Sequence, residues 1–135
     1  MANLVFIIDD DPIYLKLMRE HFRQMEDYLV ESYAEADEAL LQLKNKEPFL
    51  IILDHNLSHQ WKDGLYYLKE IKKLKPSVPI FYITSDNSPS LKEKAMKAGA
   101  EKFILKDSTS LLHIRMAMDE MGKAKKPGFF SRLFK

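Results

Sequence analysis

Cysteine is absent from this chain of 135 residues, so disulfides, thiolate nucleophiles and cysteine-ligated metals play no part in its chemistry. That composition is compatible with a reducing cytosol. Long apolar runs are missing as well; none approaches the ~20 residues that cross a bilayer as a helix. The N-terminus has no basic segment followed by a small-residue cleavage site. Together these absences point to a cytoplasmic domain. Glycine is scarce, at four residues, and no glycine-rich loop follows the first apolar run, which argues against a flavin or nucleotide site of that kind. A large net charge is missing too. The total is +1, but residues 122–135 hold five basic side chains and no acid, which leaves residues 1–121 at −4. A weakly acidic body with a basic tail does not carry the electrostatic footprint of direct nucleic-acid binding.

What is present is a hydrophobic fraction of 46% and a charged fraction of 30%, enough for one soluble domain with its own core. The centre of the pattern is Phe49-Leu50-Ile51-Ile52-Leu53-Asp54. Five apolar residues without alternation predict a parallel strand covered on both faces, and it delivers a carboxylate to the sheet edge. Similar runs at 4–8, 80–84 and 102–105 predict further strands, and 28–33 predicts an edge strand because Glu31 and Ser32 interrupt it.

Helices are predicted between them. Asp11-Pro12 reads as cap and first helical residue, with Ile13, Leu17, Met18, Phe22 and Met25 inward. Ala36, Ala39, Leu40 and Leu43 mark the second helix; Leu65, Leu68, Ile71 and Leu74 mark the third, opened by Gly64. Ser88-Pro89 starts the fourth, with Leu91, Ala95, Met96 and Ala98, and Gly99 ends it. The last is capped within 107–109 and carries Leu111, Leu112, Arg115, Met116 and Met118 near its inner side. Five strand-helix units joined by right-handed crossovers make a parallel sheet with helices on both faces. The expected organisation is one domain over 1–121 and a basic, aromatic tail over 122–135.

Strand ends carry the chemistry. Asp9 and Asp10 follow the first strand, Asp54 ends the third, Thr84 the fourth, and Lys106 follows the fifth. In an open parallel sheet these ends gather, and ligands bind there. Carboxylates crowded together repel one another and favour a hard cation with oxygen ligands, magnesium above all. A lysine and a hydroxyl beside such a cation suit a phosphoryl group.

In that order and spacing, these residues make the chain similar to the receiver domain of two-component response regulators, over residues 3–121. The resemblance implies an α/β fold of the flavodoxin-like kind, doubly wound, with five parallel strands in the order 2-1-3-4-5. It implies that Asp54 takes a phosphoryl group from a histidine kinase or phosphotransfer protein. Asp9, Asp10, Asp54 and the backbone carbonyl of Asn56 then hold Mg2+, Thr84 and Lys106 contact the phosphoryl oxygens, and Phe103 is the aromatic partner of Thr84 in the switch. Asn56 and Asp86 tune the phosphoryl lifetime. Such a domain catalyses its own phosphorylation and dephosphorylation but serves as a signalling switch, passing its state to a downstream protein or an output domain. The alternative from the same resemblance is a pseudo-receiver that binds partners independently of phosphorylation.

Three features depart from the family pattern. Asp107 follows Lys106 where proline is usual, so a trans peptide or a shifted loop is expected, a non-proline cis bond costing ~2.5–4 kcal/mol. Leu57-Ser58 stands in the place of Met-Pro, and Gly64 lies ten positions after Asp54, an insertion around His59-Gln60-Trp61. Trp61 is read as a lid over that loop. His55 and His59 near Asp54 lack decisive transition-metal spacing, and His21 and His113 are read as structural. In the tail, Phe129, Phe130, Leu133 and Phe134 among positive charges suit a partner contact, a fold back onto the domain, or an anionic membrane surface.

Overall fold

The computed structural model describes residues 2–57 and 62–125. The His59-Gln60-Trp61 insertion, with the Trp61 lid, and the aromatic part of the tail lie outside the described residues. Elements alternate strictly: β1 (Asn3–Ile8), α1 (Pro12–Arg23), β2 (Tyr28–Tyr33), α2 (Ala36–Leu43), β3 (Leu50–Asp54), α3 (Gly64–Leu74), β4 (Ile80–Thr84), α4 (Pro89–Lys97), β5 (Lys102–Leu105) and α5 (Ser110–Lys125). All strand pairs are parallel, in the order β2-β1-β3-β4-β5.

The continuous apolar runs of β1, β3 and β4 are explained by two cores, one on each face. Phe6, Ile8, Ile51, Leu53, Ile80 and Tyr82 point toward α2, α3 and α4. Val5, Ile7, Leu50, Ile52, Phe81 and Ile83 point toward α1 and α5. Alternation along a strand therefore sends successive residues to opposite buried layers. β2 pairs only with β1, as its polar residues predict.

Local signals set the helix starts. Asp11 accepts a hydrogen bond from the Ile13 amide and Ser88 from the Leu91 amide, each followed by proline at the first helical position. Asp63 caps α3 by accepting from the Tyr66 amide. Gly99 takes a φ of 110° just after α4, where other residues are strained.

Several inward faces differ from expectation. In α1 the sheet meets Tyr14, Leu15, Met18 and Phe22, while Ile13 and Leu17 are 72% and 51% exposed. Both rows are apolar at helical spacing, so their periodicity does not choose between them. In α3, Tyr67 is buried and Leu74 exposed; in α4, Met96 is exposed. In α5, Ile114, Ala117, Met118 and Met121 are buried, whereas Leu112, Arg115 and Met116 face solvent.

Candidate functional site

Parity along the strands explains what gathers at the C-terminal edge. Asp54 follows Leu50 and Ile52 on the α1/α5 side, and Asp9 follows Val5 and Ile7 on that same side. Lys106 continues the row of Ile104. Three strand tips thus aim two acids and a cation into one space. Asp9 and Asp54 are 0% and 1% exposed. The Lys106 Nζ donates to Asp9 Oδ2 at 2.8 Å and to Asp54 Oδ2 at 3.4 Å. Asp9 Oδ1 accepts from the Asp11 amide at 2.9 Å. Asp10 joins the pair: one carboxylate oxygen from each of Asp9, Asp10 and Asp54 lies within 4.8 Å of the others.

The electrostatics follow from this crowding. Burial, reinforced by the charge on Asp9, pushes the Asp54 carboxyl up to about 7, against the opposing pull of Lys106. Burial also raises Asp9, with Lys106 again opposing. Burial acts against the Lys106 charge, but hydrogen bonding and attraction to Asp9 and Asp54 together outweigh it and raise its pKa. One ammonium thus offsets only part of the charge on three carboxylates. Asp54 Oδ1 is buried without a hydrogen-bond partner among the described residues. An orphaned carboxylate oxygen beside two further carboxylates is the donor set of a small, oxygen-seeking dication, so these residues fit magnesium.

The other predicted positions are placed differently. Thr84 is fully buried at the end of β4, and its Oγ1 accepts from the Asp86 amide at 3.0 Å. Its parity is that of Tyr82, on the α2–α4 side, and no side-chain hydrogen bond joins it to the acids among the described residues. Phe103 is half-buried and stacks on Tyr82, ring centroids 6.3 Å apart and 28° between planes. Asn56 is exposed, with Nδ2 3.5 Å from Ser85 Oγ. Asp86 is exposed and accepts from the Ser88 amide, which holds its carboxyl below the usual range. The Lys106–Asp107 peptide is trans.

Three neighbours escaped the sequence reading. The Tyr14 ring lies under Lys106 Nζ, 4.3 Å from ring centre to nitrogen, and the Tyr14 hydroxyl pairs with Ser110 Oγ at 2.7 Å. Tyr14 thereby presents an aromatic face to the ammonium and ties α1 to α5. Tyr14→Phe is expected to cost about 1 kcal/mol by leaving the buried Ser110 hydroxyl unpaired, seen as a lower chemical-denaturation midpoint with unchanged slope. On the opposite face, Tyr82 hydrogen-bonds His55 Nδ1. A tyrosine in an otherwise apolar strand is itself a signal, because its hydroxyl needs a partner.

Comparison with known proteins gives a consistent result. The family described as response regulator receiver domain matches residues 5–117. The nitrogen assimilation regulatory protein NtrX of Azorhizobium caulinodans is 34% identical over 106 residues, covering 78% of this chain and 23% of that protein. The transcriptional regulatory protein ZraR of Salmonella typhimurium is 30% identical over 102 residues, covering 76% of this chain and 22% of that one. This chain therefore spans about a fifth of the length of such curated relatives. Among solved structures, a response regulator receiver domain protein (CheY-like) from Methanospirillum hungatei superposes with a TM-score of 0.78 at 27% identity, covering 92% of this chain and 99% of that one.

Proposed function

The chain belongs to the response regulator receiver domain family, and from that premise we propose that Asp54 accepts a phosphoryl group from a histidine kinase or phosphotransfer protein. The observation that carries this reading is the convergence of Asp9, Asp10, Asp54 and Lys106, with one oxygen of Asp54 held by Lys106 and the other without a hydrogen-bond partner among the described residues. In this reading Asp9, Asp10 and Asp54, with the Asn56 carbonyl, hold magnesium. When bound, the ion neutralises charge on the carboxylates and on the transferring phosphoryl oxygens.

The chain's own residues do the rest. An Asp54 carboxylate oxygen bonds to phosphorus as the phosphorus–nitrogen bond of the donor breaks, leaving an acyl phosphate and a free imidazole. Lys106 follows the charge as it moves from carboxylate to phosphoryl oxygens, because its ammonium is already within reach of Asp54. Thr84 donates its hydroxyl hydrogen to the new group by moving toward it, and the Asp86 amide that donates to the same oxygen ties that movement to the following loop. That change alters the β4–α4 connection, and Phe103, stacked on Tyr82, is the aromatic group that registers it. Asn56 and Asp86 border the approach of hydrolytic water. Residues 1–121 form this switch, and the downstream protein or output domain reads its state.

Acetyl phosphate with magnesium is expected to give a single phosphoryl adduct by intact-mass measurement, absent from Asp54→Asn. Unmodified wild-type protein, in a sample whose magnesium binding is verified, would refute the assignment. Asp10→Ala is expected to remove more than half of the magnesium-dependent rise in melting temperature, since a ligand stabilises only through its affinity for the folded state. An undiminished response would exclude Asp10 as a ligand.

A further inference from the structure

The surface between α3 and α4 is a second place where the molecule is built to meet something. The last turn of α4, Lys94-Ala95-Met96-Lys97, runs on into Ala98-Gly99-Ala100. Small residues on the side that meets α3 leave space that larger side chains fill elsewhere in the core. The result is a groove of about 270 Å³ lined by Leu65, Lys69, Lys94, Lys97 and Ala98. Its floor is apolar, because Leu65 and Ala98 pack against the α2–α4 core while remaining partly open to solvent. Its rim is three lysines.

The charge there runs against the rest of the domain. α3 and α4 carry Lys69, Lys72, Lys73, Lys92, Lys94 and Lys97 against only Glu70 and Glu93, within a body whose formal charge is −4. The two acids are already engaged, Glu70 with Lys73 at 3.4 Å and Glu93 with Lys97 at 2.9 Å. Lys72 is turned away, donating to the carbonyls of Pro76 and Val78. Among the described residues, the side chains of Lys69 and Lys94 make neither an ion pair nor a hydrogen bond; it is the Lys94 backbone carbonyl that accepts from the Ala98 amide. Two uncompensated ammonium groups therefore stand over an apolar concavity, one from each wall.

We propose that this groove docks an acidic segment of a partner protein, with one aliphatic side chain seated between Leu65 and Ala98 and flanking carboxylates paired to Lys69 and Lys94. Charge complementarity selects the occupant. The chain's own tail, with five basic residues and no acid, is repelled from it. A volume just below the ~300–1,000 Å³ of small-molecule pockets suits an inserted side chain better than a cofactor. Lysine stems line the edges of the apolar floor while their heads stay hydrated, so each ion pair is weak and the anchor confers specificity. The inference is independent of the phosphoryl reading, because none of these residues belongs to the acidic cluster.

The probe is a capped peptide with a central leucine between paired glutamates, titrated into the isotopically labelled 135-residue chain and followed by amide chemical shifts. The largest shifts are expected at Leu65, Lys69, Lys94, Lys97 and Ala98. Replacing the leucine of the peptide by alanine should weaken binding at least threefold, and the double variant K69E/K94E should weaken it about tenfold or more while keeping the wild-type melting temperature. The proposal is overturned by any of several results. These are the absence of shifts at millimolar peptide, equal affinity of the alanine peptide, shifts centred on the basic residues of 122–135, or the same groove shifts with inorganic phosphate alone. Groove shifts that appear on concentrating the chain without peptide would instead make a second copy the occupant and likewise overturn it.

Discussion

Gly64→Ala is expected to destabilise the domain by about 2 kcal/mol, lowering the melting temperature by roughly 6–10 °C. Gly64 opens α3 directly beneath the site, with its amide donating to the His55 carbonyl at 3.0 Å. A Cβ built there would stand 2.6 Å from the Tyr82 hydroxyl, 2.7 Å from the Asp54 carbonyl oxygen and 2.7 Å from His55 Cα. Two of those three atoms are backbone, so relief requires moving the end of β3 that carries Asp54. The third is the hydroxyl already hydrogen-bonded to His55. Helix propensity favours alanine over glycine by up to ~1 kcal/mol, and the overlap outweighs it. Gly122→Ala is the matched control, because a Cβ there meets nothing within 4 Å. That variant is expected to be neutral or slightly stabilised, and equal losses at the two positions in thermal or denaturant melts would contradict the close-approach account.

The metal-free protein is expected to become more stable as pH falls from 8 to 5, and Asp54→Asn to lose that gain. Burial and the neighbouring Asp9 charge raise the folded Asp54 carboxyl to about 7, against 3.8 for an unperturbed aspartate. A raised carboxyl binds its proton more tightly in the folded chain than in the unfolded one. Its ionisation therefore penalises the fold as pH rises through the window from about 4 to about 7, and the penalty is absent below it. At ~1.4 kcal/mol per pH unit, the two units between about 7 and 5 amount to about 3 kcal/mol, the opposing pull of Lys106 being already contained in that raised value. Asp54→Asn keeps the shape and removes the charge, while Lys106 retains Asp9 at 2.8 Å. The measurement is denaturant midpoint against pH in a chelator for both proteins. A wild-type curve that parallels Asp54→Asn above pH 5, or one that falls on acidification through this window, would exclude the buried, repelled carboxylate.

These two expectations meet at the same point of the chain, where the last residue of β3 is followed by His55, whose carbonyl accepts from the Gly64 amide. The sequence made much of this arrangement visible. Continuous apolar runs ending in Asp54 and Thr84 mark strands covered on both faces; β4 has the bounds expected, and β3 begins one residue later, at Leu50. Capping pairs Asp11-Pro12 and Ser88-Pro89 locate two helix starts to the residue. The acidic cluster is legible because charge at the end of an apolar strand has few structural uses.

What the pattern leaves undetermined is rotation about helix axes. α1 offers two apolar rows, Ile13 with Leu17 and Tyr14 with Leu15, and only the sheet beneath decides between them. In the fold the decision is tied to chemistry, because the buried row places Tyr14 against Lys106 and Ser110. α5 poses the same problem, with Leu112 and Met116 outward and Ile114 and Met118 inward. Side-chain partners across the sheet are similarly hidden. Tyr82 and His55 are 27 residues apart, and nothing in either local pattern announces the other. Strand parity, once the register is known, accounts for the remaining difference: Asp9, Asp54 and Lys106 share one side, while Thr84 and Phe103 lie with Tyr82 on the other.

The central claim is that Asp54, held by Lys106 within the acidic cluster, is the atom-level acceptor of the phosphoryl group. Its most direct test is to treat the protein with acetyl phosphate and magnesium, reduce with borohydride and map the product by peptide mass spectrometry. Reduction of an acyl phosphate turns aspartate into homoserine, so the account predicts homoserine at position 54 alone, and none when magnesium is withheld. Homoserine at Asp9 or Asp10 in place of Asp54, or none anywhere in protein that binds magnesium, would contradict it.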